Sequence, residues 1–229
     1  MGSLTASTPK PLLPLNGVPL IFYTLYQLWL WKIESAVINL HYLGGQIEQS
    51  LRNFAWFELS FSREERLLGT AGGIRYALPL LERDGPVQEI VILNPDAIIL
   101  NPEPLPHFPA GASSLLHVLD RKDEPHAGWE LSAEGRLLDV PTGPFFYSGY
   151  SLLRLDLIRS LPALTVAELG PIWREEARQG RLFGRKLRGF HLDLGDAEKY
   201  GAGDTPLLAD PTLLEGQMSQ WETFLERAR

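Results

Sequence analysis

The first long apolar stretch, Pro19 to Trp31, is interrupted by Tyr23, Thr24, Tyr26 and Gln27, and its spacing predicts a helix over Pro19 to Lys32. It falls short of the ~20 residues a bilayer span needs, so burial in protein is expected. Ala36-Val-Ile-Asn-Leu40 is short, apolar and β-branched, which predicts a strand. Gly45 to Phe54 sets Ile47, Leu51 and Phe54 on one helical face, whereas Phe57 to Phe61 alternates apolar and polar residues as a half-buried strand does. Thr70 to Leu81 reads as a helix. Glu89-Ile-Val-Ile-Leu93 has the unbroken apolar character of a strand buried on both faces of a parallel sheet. Such alternation predicts an α/β fold with right-handed crossovers.

Beyond Asp96 the prolines at 102, 104, 106 and 109 predict an extended loop before the apolar run Ser114 to Leu119. Trp129 to Leu131 and Arg136 to Val140 read as a hairpin around Ser-Ala-Glu-Gly, and Phe145 to Leu153 as a further strand. Helices are expected at Pro171 to Gln179 and Thr212 to Arg227. Neither an internal repeat nor a low-complexity linker divides the 229 residues, so one domain is expected over 1–229.

Composition narrows the function classes. With 45% hydrophobic and 21% charged residues, the chain is expected to fold. Its 21 Lys plus Arg against 28 Asp plus Glu give a net charge of -7, with no basic cluster to track a phosphate backbone, so no nucleic-acid partner is expected. Cysteine is absent, which excludes disulfides, thiolate zinc sites and thiol nucleophiles. No apolar leader follows Met1 and no span is long enough for a membrane, so the expected location is cytoplasmic.

Four segments could carry chemistry. In Ser7-Thr-Pro-Lys-Pro-Leu-Leu-Pro14 the prolines predict a stiff, extended path presenting Lys10, a compact cation suited to phosphate; a surface arm with a solvated lysine is the plainer reading. Leu68-Gly-Thr-Ala-Gly-Gly73 runs into a helix, so its backbone could approach a ligand or simply turn. It matches neither a Walker A loop nor G-x-G-x-x-G. Asn94-Pro-Asp96 closes a strand, where an aspartate can reach a metal or a ribose, or form a turn. In Phe190-His-Leu-Asp-Leu-Gly-Asp-Ala-Glu-Lys-Tyr200, His191 and Asp193 would share one face of a short strand, His191 reads as structural, and Asp196 reads as the cap of a helix at Ala197. Asp96 and Asp193 remain as a candidate hard-cation pair.

In order and spacing these segments resemble the sugar-1-phosphate nucleotidyltransferases, the nucleoside-diphosphate-sugar pyrophosphorylases, over Leu4 to about Tyr200. Thr8-Pro-Lys-Pro-Leu-Leu-Pro14 matches the TPKPLLP signature and Leu68-Gly-Thr-Ala-Gly-Gly73 the LGTAGG nucleotide loop. Val37-Ile-Asn-Leu-His41 with Gly45-Gln-Ile47 resembles the second strand and helix, Phe146-Tyr-Ser-Gly-Tyr150 a sugar-contacting strand, and His191-Leu-Asp-Leu-Gly195 the W-x-D-x-G-T segment. The resemblance implies a Rossmann-like mixed, mainly parallel sheet flanked by helices, with a nucleotide-binding half over 1–100 and a sugar-binding half over 101–229. It also implies a magnesium-assisted reaction of a nucleoside triphosphate with a sugar-1-phosphate. By position, Lys10 would contact phosphates. Gly69, Thr70, Ala71, Gly72, Gly73 and Asn94 would hold the nucleotide, Gly149 the sugar, and Asp96 and Asp193 the Mg2+. The family's opening glycine-rich segment, L-A-A-G-x-G-T-R-L, has no counterpart here; Pro95 stands for its glycine and Asp196 for its threonine. These departures leave a second reading, a nucleotide- or sugar-binding module without turnover. Oligomeric state is not legible.

Overall fold

The computed structural model describes residues 2–100, 102–120, 128–201 and 218–228. In chain order its elements are β1 (Pro14–Leu15), β2 (Val18–Pro19), α1 (Leu20–Leu30), β3 (Ser35–Leu40), α2 (Gly44–Ser50), β4 (Glu58–Arg63), α3 (Gly69–Leu81) and β5 (Glu89–Leu93). There follow β6 (Ala97–Leu100), β7 (Ser114–Asp120), β8 (Trp129–Leu131), β9 (Leu137–Asp139) and β10 (Phe145–Arg154). The last are α4 (Asp156–Arg159), α5 (Leu169–Arg178), β11 (Leu182–Lys186), β12 (Phe190–Asp193) and α6 (Met218–Ala228). The α/β alternation expected from periodicity is present, and parallel and antiparallel strand pairs both occur. The first part of the helix expected at Thr212 to Arg227, 212–217, lies outside the described residues.

The chain forms two units. The first takes Met1–Glu65, Asn94–Leu105 and Arg188–Arg229; the second takes Arg66–Leu93 and Pro106–Leu187. In the first unit, Asn16 (φ 48°) and Gly17 (φ 73°) supply the left-handed pair that closes the two-residue β1–β2 hairpin. α1 follows at once and is buried on nearly every side, including Tyr23, Tyr26 and Gln27, which is why its sequence shows no clean polar stripe. Strands β3 and β4 pair in parallel from Ser35 and Glu58 to Leu40 and Arg63. Helix α6 completes an aromatic cluster with α1: the Trp221 ring lies 4.9 Å from both Tyr23 and Tyr26, and the Phe224 ring 5.3 Å from Tyr26.

In the second unit β11, β7, β10, β8 and β9 form one sheet in that order, with β5 also paired to β10. The β11–β7 pair is parallel, and β10 runs antiparallel to β5, β7 and β8. The unbroken apolar character of β5 predicted parallel pairing and burial on both faces. Instead it pairs antiparallel with β10, Glu89 opposite Arg154, and Ile90 to Leu93 are half-buried. Apolar character alone does not fix strand direction, and the partner of β5 lies far downstream. One face packs Leu116, Val118 and Leu153 against Ala71, Ile74 and Leu78 of α3 and Trp173 and Ala177 of α5. No helix of the described residues is long and apolar enough to cross a membrane.

Candidate active site

The loop expected beyond Asp96 starts only after β6: residues 102–113 form neither helix nor strand, whereas Ala97 to Leu100 form a strand. Ile98, Ile99 and Leu100 are buried, and this apolar run forms β6, which pairs antiparallel with β12 so that Asp193 stands opposite Ala97. The Leu194 amide then donates to the Asp96 carbonyl at 2.8 Å. The ladder therefore brings Asp96, just before β6, beside Asp193, the last residue of β12. Strand alternation buries Leu192 and leaves its neighbours His191 and Asp193 half-exposed, as their spacing predicts.

Lys10 reaches the same place. The prolines do not hold its backbone extended: Lys10–Leu12 form a 3-10 turn, with Leu12 N donating to Pro9 O at 2.8 Å. A proline φ near -65° suits that turn as well as an extended path. The Lys10 ammonium pairs with the Asp96 carboxylate and donates to the Gly195 carbonyl at 2.8 Å. Asp193 has its own cation, since Oδ1 accepts the Gly195 amide at 3.0 Å and Oδ2 receives Lys199 Nζ at 2.7 Å. Lys199 is positioned by a helix cap that the sequence did show. Asp196 Oδ1 accepts the Lys199 amide at 2.9 Å, and Tyr200 donates its hydroxyl to Pro14 O at 2.5 Å. The functional candidate that sequence reasoning passed over is thus Lys199, whose only signal was its place one turn beyond that cap.

The described residues hold no group of three or more His, Cys, Asp or Glu that could enclose a metal. Asp96 and Asp193 offer hard oxygen donors from partly exposed side chains, 26% and 21% accessible, and each already faces an ammonium group. Such a pair fits a small divalent cation that keeps its remaining positions for water and phosphate. Asn94 closes the turn before β6, its carbonyl accepting the Ala97 amide at 3.1 Å.

In the second unit the glycine-rich segment begins α3, and its glycines meet protein. A Cβ on Gly69 (φ +73°) would stand 2.6 Å from the Ala167 carbonyl oxygen, and one on Gly72 2.2 Å from that of Thr165. Two amides at this helix start are engaged by the same stretch. Thr70 N donates to the Glu168 carboxylate at 3.1 Å and Gly72 N to Ala167 O at 3.0 Å, while Ala167 N returns a bond to Leu68 O at 2.8 Å. Close backbone approach, read from the sequence as room for a ligand, is used here by residues 165–168. Ala71 and Gly73 are buried on α3. Gly149 is buried in β10 with φ +87°, where the register with β7 shifts between Tyr147 and Ser151. Next to it, Tyr150 stacks on His117 with centroids 3.8 Å apart. Burial, aided by the Arg185 charge, pushes the His117 imidazole down to about 3.

Over 223 residues the chain is 31% identical to N-acetylmuramate alpha-1-phosphate uridylyltransferase of Neisseria meningitidis serogroup B, spanning 85% of this chain and 87% of that protein. It is 28% identical over 231 residues to the protein of the same name from Caulobacter vibrioides, spanning 90% and 91%. Its fold matches a solved UDP-glucose pyrophosphorylase with TM-score 0.71 at 14% identity, over 91% of this chain and 93% of that one. No protein-family model matches the chain.

Proposed function

The chain belongs to the sugar-1-phosphate nucleotidyltransferase family, and on that premise we propose that it transfers a uridylyl group from UTP to a sugar-1-phosphate in a Mg2+-dependent reaction. The observation that carries the chemistry is the adjacency of Asp96 and Asp193 across the β6–β12 ladder, with Lys10 beside them. The choice of uridine, and of N-acetylmuramate α-1-phosphate as acceptor, is supported by the names of the two relatives.

An oxygen of the sugar phosphate attacks the α-phosphorus of UTP, the bond from that phosphorus to the β-phosphate oxygen breaks, and pyrophosphate leaves with those electrons. Bound by Asp96 and Asp193, Mg2+ would neutralise charge on the phosphates. Lys10 supplies a compact cation from a short turn, so little order is lost when it meets a phosphate oxygen. Aligning two anions is the main task in such a transfer, and a chain of net charge -7 depends on these local cations to do it. The family resemblance is what supports Gly69 to Gly73 and Asn94 as contacts for the nucleotide and Gly149 for the sugar.

The test is pyrophosphate release from UTP, N-acetylmuramate α-1-phosphate and MgCl2, compared with other triphosphates and sugar phosphates. UTP with that acceptor should give the highest kcat/KM. Asp96→Asn and Asp193→Asn should each lower it roughly 100-fold or more. Absence of turnover with every pair would overturn catalysis and favour a binding module.

A further inference from the structure

Two ammonium groups stand at the two carboxylates, and only Lys10 is used by the proposed reaction. Lys199 has its Nζ 2.7 Å from Asp193 Oδ2, while Asp193 Oδ1 is engaged by the Gly195 amide at 3.0 Å. A divalent cation on Oδ2 and an ammonium at that distance repel each other and compete for one oxygen. The pair is reachable from solvent, with side chains 37% and 21% accessible, so its strength is that of a partly exposed ion pair and it can be exchanged. The backbone of Lys199 is tied by the Asp196 cap and by the neighbouring bond from Tyr200 to Pro14. What can move is the four-carbon stem and its charged head.

We infer that Lys199 is an exchangeable counter-ion. It holds Asp193 before a cation arrives, and when a divalent cation takes Oδ2 its ammonium passes to an oxygen of the phosphate chain that the cation carries. The inference rests on the reading of Asp96 and Asp193 as cation carboxylates. It makes Lys199 a residue that opposes the bare cation and favours the cation with its phosphate, so the two ligands bind better together than apart.

Two titrations test this: Mn2+ into the nucleotide-free protein, followed by the electron paramagnetic resonance of the free ion, and inorganic pyrophosphate into the Mn2+-loaded protein by calorimetry. Lys199→Met should bind Mn2+ alone roughly threefold to tenfold more tightly and pyrophosphate weaker by a similar factor. A purely structural lysine would not move the two affinities in opposite directions. Lys199→Gln gives a second variant of the same kind, and Lys199→Arg, which keeps a cation on Asp193, should retain the wild-type Mn2+ affinity. Lys32→Gln removes an exposed charge elsewhere in the same unit and should change neither titration. Unchanged Mn2+ affinity or unchanged pyrophosphate affinity in Lys199→Met overturns the inference, as does tighter Mn2+ binding in Lys199→Arg. If Asp96→Asn and Asp193→Asn bind Mn2+ as the wild type does, the cation-site reading itself fails. If both lose Mn2+ while Lys199→Met matches the wild type, only the role of Lys199 fails.

Discussion

A histidine held neutral by burial makes stability depend on pH in a known direction. His117 is 4% accessible, and burial lowers its imidazole to about 3 from the usual 6.5, so between those values the unfolded chain binds the extra proton. Its contribution is complete above about 6.5 and is lost as pH falls toward 3. His117→Phe, which keeps an aromatic ring against Tyr150, should flatten the decline of unfolding free energy over that window, measured by urea titration at several pH values. Gly72 makes a second case. An added methyl would meet the Thr165 carbonyl at 2.2 Å, and backbone cannot yield as a flexible side chain can. Gly72→Ala should cost about 2 kcal/mol in the same urea assay.

Among elements, α6 is held chiefly by rings. Phe224 is fully buried, with the rings of Tyr26, Trp29, Trp56 and Trp221 within 6.0 Å, and its carbonyl accepts Trp56 Nε1–H at 3.0 Å. Phe224→Ala should cost about 3–5 kcal/mol by chemical denaturation, because a rigid aromatic cluster closes poorly around the cavity. The elements legible in the sequence were those with local signals: α1 and α3 from their apolar runs, β3, β4 and β10 from their strand-like patterns, and the cap at Asp196 from residue type, whereas the β1–β2 hairpin at Asn16-Gly17 was not. β6 was hidden because its four residues sit against a proline-rich stretch, and the direction of β5 because ladder partners distant in sequence leave no periodicity. The candidate site divides the same way. Asp96, Asp193 and Lys10 were legible as residue types in matching segments, while the engagement of Thr70 and Gly72 by residues 165–168 was not, since Glu168 and Ala167 carry no motif and act through a side-chain cap and a bare carbonyl.

At the scale of the whole molecule, each of the two units has its own core, and none of the buried clusters described includes the carboxylate pair. Metal removal should therefore separate function from folding. EDTA is expected to stop pyrophosphate release and excess Mg2+ to restore it, while the melting temperature moves by only about a few degrees, as weak ligand linkage allows. The ladder between β6 and β12 has a consequence for synthesis. β6 has β12 as its ladder partner, and that pairing sets Asp96 beside Asp193. A growing chain carries Asp96 out of the ribosome well before Phe190 to Asp193 emerge, so the two carboxylates can come together only after β12 has been made. A product ending before Phe190 lacks Asp193 and Lys199, and with them one carboxylate and one ammonium of the candidate site.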